Sequence, residues 1–478
     1  MTTKSSAVGS PPPVAALYPS QAERERLDDY LTRELARACT RVAGGPAVPD
    51  IDIAAFRAQL TAFDFDAPRP LPEVIDWSIG VIEHGVNHMT HPRYFGLFNP
   101  SPSFAAQCAD RIVNAFNPQL ASAVTSPAAV ALEGHVINLM ARRAGLPPEA
   151  GGHFTSGGSE ANYTALICAL TRAHPGFVTE GARAFPGMPV FYASRECHHS
   201  WVKIGHMAGI GRSAARLVAT DGSGKLSMPA LEQAIGADLA AGHVPFMLVA
   251  SAGTTNVGAL DPLPACADFA ARYGLWLHVD AAWGGAIIAS DRHRKVVAGL
   301  ERADSATIDA HKWFATTMGC GMFIARDPSA AGRAFDVAAS YMPSRQASLD
   351  PYMNSVQWSR RLLGLRLFLS LAVAGWAGHA AHIERALVQA DIIREKLVAL
   401  GWAVVNDSPF AVVAAVPPAG SRAPGDIVAE VVRSGRAWVS LAKFEGRDVI
   451  RICVTHGETS DDDLAILIEA LVAAAIRV

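Results

Sequence analysis

The sequence carries little charge and almost no excess of either sign. Only 18% of its 478 residues are charged, and 41 lysines and arginines face 44 aspartates and glutamates, which gives a net charge of −3. Proteins that bind nucleic acid or an anionic membrane surface usually display a basic excess. We therefore expect no nucleic-acid partner and no membrane partner.

Paired cysteines, metal-binding motifs and long apolar runs are lacking as well. The seven cysteines are scattered singly and no HExxH motif occurs, so we expect reduced thiols in a cytoplasmic protein and no metal site. The longest apolar run, residues 367–381, is too short to span a bilayer and is typical of a buried helix. The Ser- and Pro-rich N-terminus lacks the apolar core of a signal peptide.

Half of the residues are hydrophobic, which predicts a large folded core and excludes disorder for most of the chain. Nearly continuous apolar runs alternate with helical patterns: PVFYAS (189–194), VPFMLVAS (244–251), LWLHV (275–279) and GCGMFIA (319–325). Such runs are typical of strands that are covered on both faces of a parallel or mixed α/β sheet.

The pattern changes near residue 375, where a long helix, three apolar runs and a last helix predict a small α+β unit. We therefore predict a flexible tail (1–19), a helical N-terminal arm (20–91), a large domain (92–374) and a small C-terminal domain (375–478).

Two candidate chemical groups follow or precede apolar runs. Asp280, in HVDAAWGG, ends a predicted strand, and open α/β sheets bind ligands at such ends. A buried carboxylate there needs a cationic or hydrogen-bonding partner, although an aspartate at this place can also cap a turn. Lys312, in DAHKW, lies among small and apolar residues, where a neutral amine would be available to form an imine. The alternative is a lysine that extends to the surface.

Two further segments suggest binding of a phosphate and of a planar ring. TSGGSEAN (155–162) precedes a helical pattern, and glycines before a helix N-terminus favour phosphate, although they also form ordinary turns. His198, in ECHHS, could stack on a ring, relay a proton or serve a structural purpose. Together with Asp280 and Lys312, these segments provide what a pyridoxal 5′-phosphate (PLP) site requires.

At these motifs the sequence resembles the group II PLP-dependent amino acid decarboxylases. This family includes aromatic amino acid, glutamate, cysteine sulfinate and diaminobutyrate decarboxylases. The resemblance extends from about His91 to Leu464 and includes TSGGSEAN, ECHHS, GTTNVGALD, HVDAAWGG and DAHKW. It implies the type I, aspartate-aminotransferase-like fold, with a large mixed seven-stranded sheet and a small α+β C-terminal domain. It also implies a homodimer with active sites at the interface, and decarboxylation of an L-amino acid to the amine and carbon dioxide.

The resemblance assigns roles to individual residues. Lys312 resembles the lysine that binds the cofactor as an aldimine, and Asp280 resembles the partner of the ring nitrogen. His198 and Ala282 occupy the positions that flank the ring. Further cofactor positions are Gly158, Ser159, Thr254 and His311, and substrate-pocket positions are Phe98, Asn99, Ser101 and Gln119.

Tyr341 resembles the loop tyrosine that protonates the substrate carbon, which favours plain decarboxylation because a phenol can donate a proton. Aldehyde synthesis or another PLP lyase reaction remains an alternative, and a non-catalytic dimeric scaffold is a more remote one. Asp309 departs from the family, since many members have asparagine there and a carboxylate would repel phosphate. We expect a neutral or aromatic substrate, because no arginine stands near the pocket positions.

Overall fold

The computed structural model describes residues 16–337 and 350–476, and a seven-stranded sheet forms its centre. The strands are β1 (Gly151–Thr155), β2 (Pro189–Ser194), β3 (Ala215–Val218), β4 (Val244–Ser251), β5 (Trp276–Asp280), β6 (Ser305–Asp309) and β7 (Gly321–Ala325). Their spatial order is β1-β7-β6-β5-β4-β2-β3. Strands β3, β2, β4, β5 and β6 pair in parallel, whereas β7 runs antiparallel to both β1 and β6. The predicted mixed sheet is confirmed.

The helices of this part of the chain precede, connect or follow the strands of the sheet. They are α1 (Gln21–Gly44), α2 (Ile53–Leu60), α3 (Leu71–Gly85), α4 (Phe104–Phe116), α5 (Pro127–Arg143), α6 (Gly158–Ala173), α7 (Phe177–Glu180), α8 (Ser200–Met207), α9 (Met228–Ala240), α10 (Leu263–Tyr273) and α11 (Ala330–Phe335). Along β2, Val190 and Tyr192 belong to one apolar cluster, and Phe191 and Ala193 to another. Because successive side chains of a strand point to opposite faces, the continuous apolar runs of the sequence fill two cores at once.

The C-terminal part has its own antiparallel sheet. Its strands are β8 (Ala403–Val404), β9 (Val412–Val416), β10 (Ser440–Phe444) and β11 (Arg447–Cys453), in the order β10-β11-β9-β8. The helices of this part are α12 (Gly364–Ala399), which is kinked at Gly375, α13 (Pro424–Arg433) and α14 (Asp461–Ala475). The predicted fold class is confirmed, and the exact domain boundaries stay predictions.

The N-terminal helices α1 and α3 are joined by polar contacts. Tyr30 donates a hydrogen bond to Asp76, and Arg41 pairs with Glu83 at 2.6 Å. Within the described residues, none of the helices is both long and apolar enough to cross a membrane.

Candidate active site

A cavity of about 400 Å³ lies where several strands of the large sheet end. Strands β1, β5 and β6 run in the same direction, so the segments that follow them meet at one edge. Ten of the residues that the sequence suggests for the site line this cavity: Phe98, Asn99, Gly158, Ser159, His198, Thr254, Asp280, Ala282, His311 and Lys312. Residues from six separate parts of the chain are therefore brought together.

Asp280 ends the central strand β5, and fixed donors hold its carboxylate. Its Oδ2 accepts hydrogen bonds from Asn162 Nδ2 at 2.8 Å and from the indole of Trp201 at 3.1 Å. Its Oδ1 accepts one further bond, from the Ala282 backbone amide at 3.3 Å. The side chain is buried yet lines the cavity, and a carboxylate oxygen that accepts one bond has a second lone pair for a ligand. A buried carboxylate held by fixed donors suits a protonated ring nitrogen.

A buried polar network supports Asp280 from behind. The Oδ1 atom of Asn162 accepts a hydrogen bond from Thr307 Oγ1 at 2.7 Å and lies 3.2 Å from His278 Nε2. His278 in turn contacts the Ser305 hydroxyl at 2.8 Å through Nδ1. Burial lowers the pKa of His278 to about 4, so this ring is neutral at neutral pH. The network therefore fixes the carboxylate without placing a second charge behind it.

The glycine-rich segment 155–158 leads from β1 into the first turn of α6. Gly157 has φ of 156°, and the first amides of a helix have no partner within it. A Cβ added to Gly158 would lie 3.3 Å from Ala282 Cβ and 2.9 Å from Asp309 Oδ2. Only a glycine leaves the backbone open here, as expected of a phosphate-binding helix N-terminus.

Lys312 faces a carboxylate, so its surroundings are less apolar than the neighbouring sequence suggests. Its Nζ lies 3.0 Å from Asp309 Oδ2, and the Lys312 side chain is 21% exposed. His311 Nδ1 accepts a hydrogen bond from the Cys320 amide, and burial lowers the pKa of His311. A neutral His311 thus carries its proton on Nε2, 3.9 Å from Asp309.

His198 and Thr254 lie on loops that follow β2 and β4. The Nδ1 atom of His198 lies 2.7 Å from the Ser200 hydroxyl, which orients the ring, and partial removal from solvent lowers the His198 pKa. Thr254 closes its turn, because its Oγ1 accepts a hydrogen bond from the Ala259 amide at 2.9 Å. Thr254 thus shapes the cavity wall by holding the backbone.

Aromatic and apolar side chains form the outer part of the cavity. Phe98 packs on Trp283 with ring centroids 4.5 Å apart, and Asn99 Nδ2 contacts Met318 Sδ at 3.2 Å. Two predicted substrate positions lie elsewhere: Gln119 donates to Ser359, and neither Gln119 nor Ser101 is among the described residues that line the cavity. Tyr341 lies outside the described residues.

The sequence-based reasoning missed several residues of the site. Asn162 lies within the TSGGSEAN motif, one helical turn after Gly158, and that spacing places both on one face of α6. Trp201 lies three residues after His198 on the start of α8, a similar signal. Trp283 lies within the HVDAAWGG motif, next to Ala282, whereas Met318 offered no such pattern.

The residues present fit PLP. The cavity combines an amine, a strand-end carboxylate held by fixed donors, and a helix N-terminus kept open by glycine. Asp309, which packs against Gly158, carries a negative charge that opposes a phosphate there.

Comparisons with known proteins agree with this arrangement. The family model described as pyridoxal-dependent decarboxylase conserved domain matches residues 61–415. The acidic amino acid decarboxylase of Bos taurus is 32% identical over 337 residues, which cover 70% of this chain and 64% of that protein. The chain thus spans less than two thirds of this relative's length.

Solved structures match over nearly the whole chain. Mouse CSAD in its apo form has a TM-score of 0.89 at 25% identity, over 96% of this chain and 100% of that chain. Oryza sativa TDC, solved with PLP and tryptamine, has a TM-score of 0.88 at 25% identity, over 96% and 98%. The predicted fold, family and cofactor are confirmed: the cofactor is PLP, and the chain belongs to the group II pyridoxal-dependent decarboxylases.

Proposed function

We propose that this protein decarboxylates an L-amino acid at Cα and releases carbon dioxide and the amine. The observation that carries the proposal is the convergence of Lys312, Asp280 and the open N-terminus of α6 on one cavity. A catalytically silent scaffold would have no use for a buried carboxylate that fixed donors hold in the wall of that cavity.

Each group in the cavity has a separate task. When bound, PLP supplies an aldehyde that condenses with amines and a ring that accepts the electron pair left on Cα. Lys312 provides the amine that holds the cofactor, and Asp280 Oδ1 keeps a proton on the ring nitrogen. Gly158 and Ser159 offer backbone amides to the phosphate, and His311 lies beside them. His198 and Ala282 confine the ring between them.

Tyr341 is our candidate for the proton donor at Cα. Its phenol could return a proton to the substrate carbon, which favours the amine over the aldehyde as product. His198 would assist by holding or relaying that proton.

The outer cavity favours a neutral or aromatic substrate side chain. Leu97, Phe98 and Met318 present apolar surface there. The Arg451 guanidinium lies 5.5 Å from the centre of the Phe98 ring, but it donates to the carbonyl oxygens of Thr255 and Gly96 and to the Ser440 hydroxyl. Each of its three nitrogens thus already donates to the protein, which disfavours an acidic side chain even though a relative bears the name acidic amino acid decarboxylase.

An apolar stripe beside the cavity supports a homodimer with the active sites at its interface. The stripe consists of three exposed side chains of α4 that are spaced eight and then four residues apart. They are Phe104 (78% exposed), Ile112 (46%) and Phe116 (82%). The start of α4 contacts the segment after Lys312, because the Ser103 amide donates to the Ala315 carbonyl. A second copy covering this stripe would close the cavity from outside.

The seven free cysteines, five of them buried, are consistent with a cytoplasmic location.

The test is spectroscopic and chemical. Protein purified with PLP should show a visible absorption band that the Lys312→Ala variant lacks. A panel of aromatic, aliphatic, acidic and basic amino acids should yield carbon dioxide and amine in equal amounts from at least one substrate. Aldehyde, ammonia and peroxide as the main products would instead identify an aldehyde synthase, and the Tyr341→Phe variant should shift the products in that direction.

A further inference from the structure

Asp309 is a buried carboxylate that faces the cavity with one oxygen unpaired. Its side chain is 2% exposed, and its Oδ2 pairs with Lys312 Nζ at 3.0 Å. Its Oδ1 is buried and finds no hydrogen-bond partner among the described residues. An unpaired buried carboxylate oxygen is unfavourable, so its persistence beside the reactive amine calls for a reason.

Asp309 also lies against the N-terminus of α6. A Cβ on Gly158 would come within 2.9 Å of Oδ2, and a Cβ on Gly321 would come within 2.7 Å of Oδ1. The same Gly321 atom would lie 2.7 Å from the carbonyl carbon of Gly157. The carboxylate is therefore packed between the glycines that keep this helix N-terminus open.

A negative charge in this position has two opposite effects. It stabilises the Lys312 ammonium when the cavity holds no cofactor. It repels a second anion at the same helix N-terminus, and water screens this repulsion little because the Asp309 side chain is only 2% exposed.

We propose that Asp309 limits the affinity of the site for the phosphate of PLP and thereby keeps the cofactor exchangeable. This inference rests on the proposed function, since it takes PLP as the ligand of the cavity. In the free protein Asp309 Oδ2 pairs with Lys312 Nζ at 3.0 Å, and His311 Nε2 lies 3.9 Å from the same oxygen.

The experiment is an equilibrium titration of the cofactor-free protein with PLP and, separately, with pyridoxal, which lacks the phosphate. The variants are Asp309→Asn, which keeps the shape and removes the charge, and Asp309→Ser, which removes the charge in a smaller side chain. Asp304→Asn is the matched control, because it also removes one charge. Asp304 immediately precedes Ser305, the first residue of β6, whereas Asp309 is the last residue of that strand. Binding is followed by absorbance, and thermal unfolding shows that each variant is folded.

Both neutral variants should bind PLP at least about tenfold more tightly, and the gain for pyridoxal should be at least about tenfold smaller than that for PLP. The control should stay within about twofold of the wild type, because a remote, partly exposed charge is screened. Equal gains for both ligands would overturn the inference, since the charge would then act through Lys312 alone. Unchanged or weaker PLP binding in both variants would overturn it as well.

These outcomes are separable from a failure of the proposed function. A wild-type protein that binds PLP but releases carbon dioxide from no amino acid would refute the decarboxylase proposal. It would leave the comparison between Asp309 variants intact.

Discussion

Asn162 offers the most direct test of how the site is built. Its carboxamide donates to Asp280 Oδ2 at 2.8 Å and accepts from Thr307 at 2.7 Å, and the residue is 2% exposed. Replacing Asn162 by alanine removes both bonds at once. The first has a charged acceptor and is worth about 1.5–3 kcal/mol, and the second is worth about 1 kcal/mol.

We therefore expect the Asn162→Ala variant to lose about 3 kcal/mol of unfolding free energy. The estimate stays moderate because Asp280 keeps the Trp201 indole and Thr307 keeps His278. Urea unfolding of the cofactor-free protein at fixed concentration measures this loss. The affinity for PLP should fall too, because the carboxylate loses its closest donor.

The control is Asn114→Ala on the exposed face of α4, where the asparagine accepts a bond from Arg361. We expect this change to stay within about 0.5 kcal/mol of the wild type. Equal losses in the two variants would show that the Asp280 network contributes nothing beyond an ordinary surface contact, and the reasoning would be refuted.

Three further predictions concern pH, a buried ion pair and a glycine. Burial lowers the pKa of His278 to about 4 in the folded protein. On acidification the unfolded chain therefore binds a proton at His278 before the folded protein does, and stability falls as the pH drops from about 6.5 towards 4. In urea titrations across this range, the unfolding free energy of His278→Gln should depend less steeply on pH, by the contribution of about one proton. An unchanged dependence on pH would contradict the assignment. Glu133 pairs with Arg360 at 2.5 Å, and both side chains are 4% exposed. Glu133→Ala should therefore lower the unfolding free energy in urea by about 3–5 kcal/mol. The control Asp268→Ala, at an exposed ion pair, should lower it by about 1 kcal/mol or less. Gly321→Ala would place a methyl group 2.7 Å from both Asp309 and the Gly157 backbone, so PLP affinity should fall at least about tenfold, whereas Gly134→Ala, with open space around it, should leave affinity unchanged.

The apolar runs predicted the interior strands well, and polar content hid others. Strands β2, β4, β5 and β7 coincide with the predicted runs to within one or two residues, because they are apolar on both faces. Strand β6 is equally buried, yet Ser305, Thr307 and Asp309 interrupt its pattern. Their polar groups meet Trp276, Asn162 and Lys312, contacts that only the folded chain creates.

The motifs located most of the cavity, and the outer pocket was harder to predict. Residues such as Asp280 and Lys312 follow strands and are fixed by topology. Gln119 turns towards Ser359 instead, and Met318 enters the cavity because Arg366 holds the carbonyl oxygens of Met318 and Gly319. Such placements depend on long-range partners that sequence spacing does not reveal.

The position of β7 between β1 and β6 has a consequence for biosynthesis. Gly151–Thr155 leaves the ribosome first of all the strands, but its only neighbour in the described sheet, Gly321–Ala325, is made last of the seven strands of that sheet. Within the seven-stranded sheet, the nascent chain must therefore carry an unpaired edge through the synthesis of every intervening strand, which exposes it to aggregation and to chaperones. A chain that stops before Gly321 leaves the glycine segment after β1 without the strand that holds it beside Lys312.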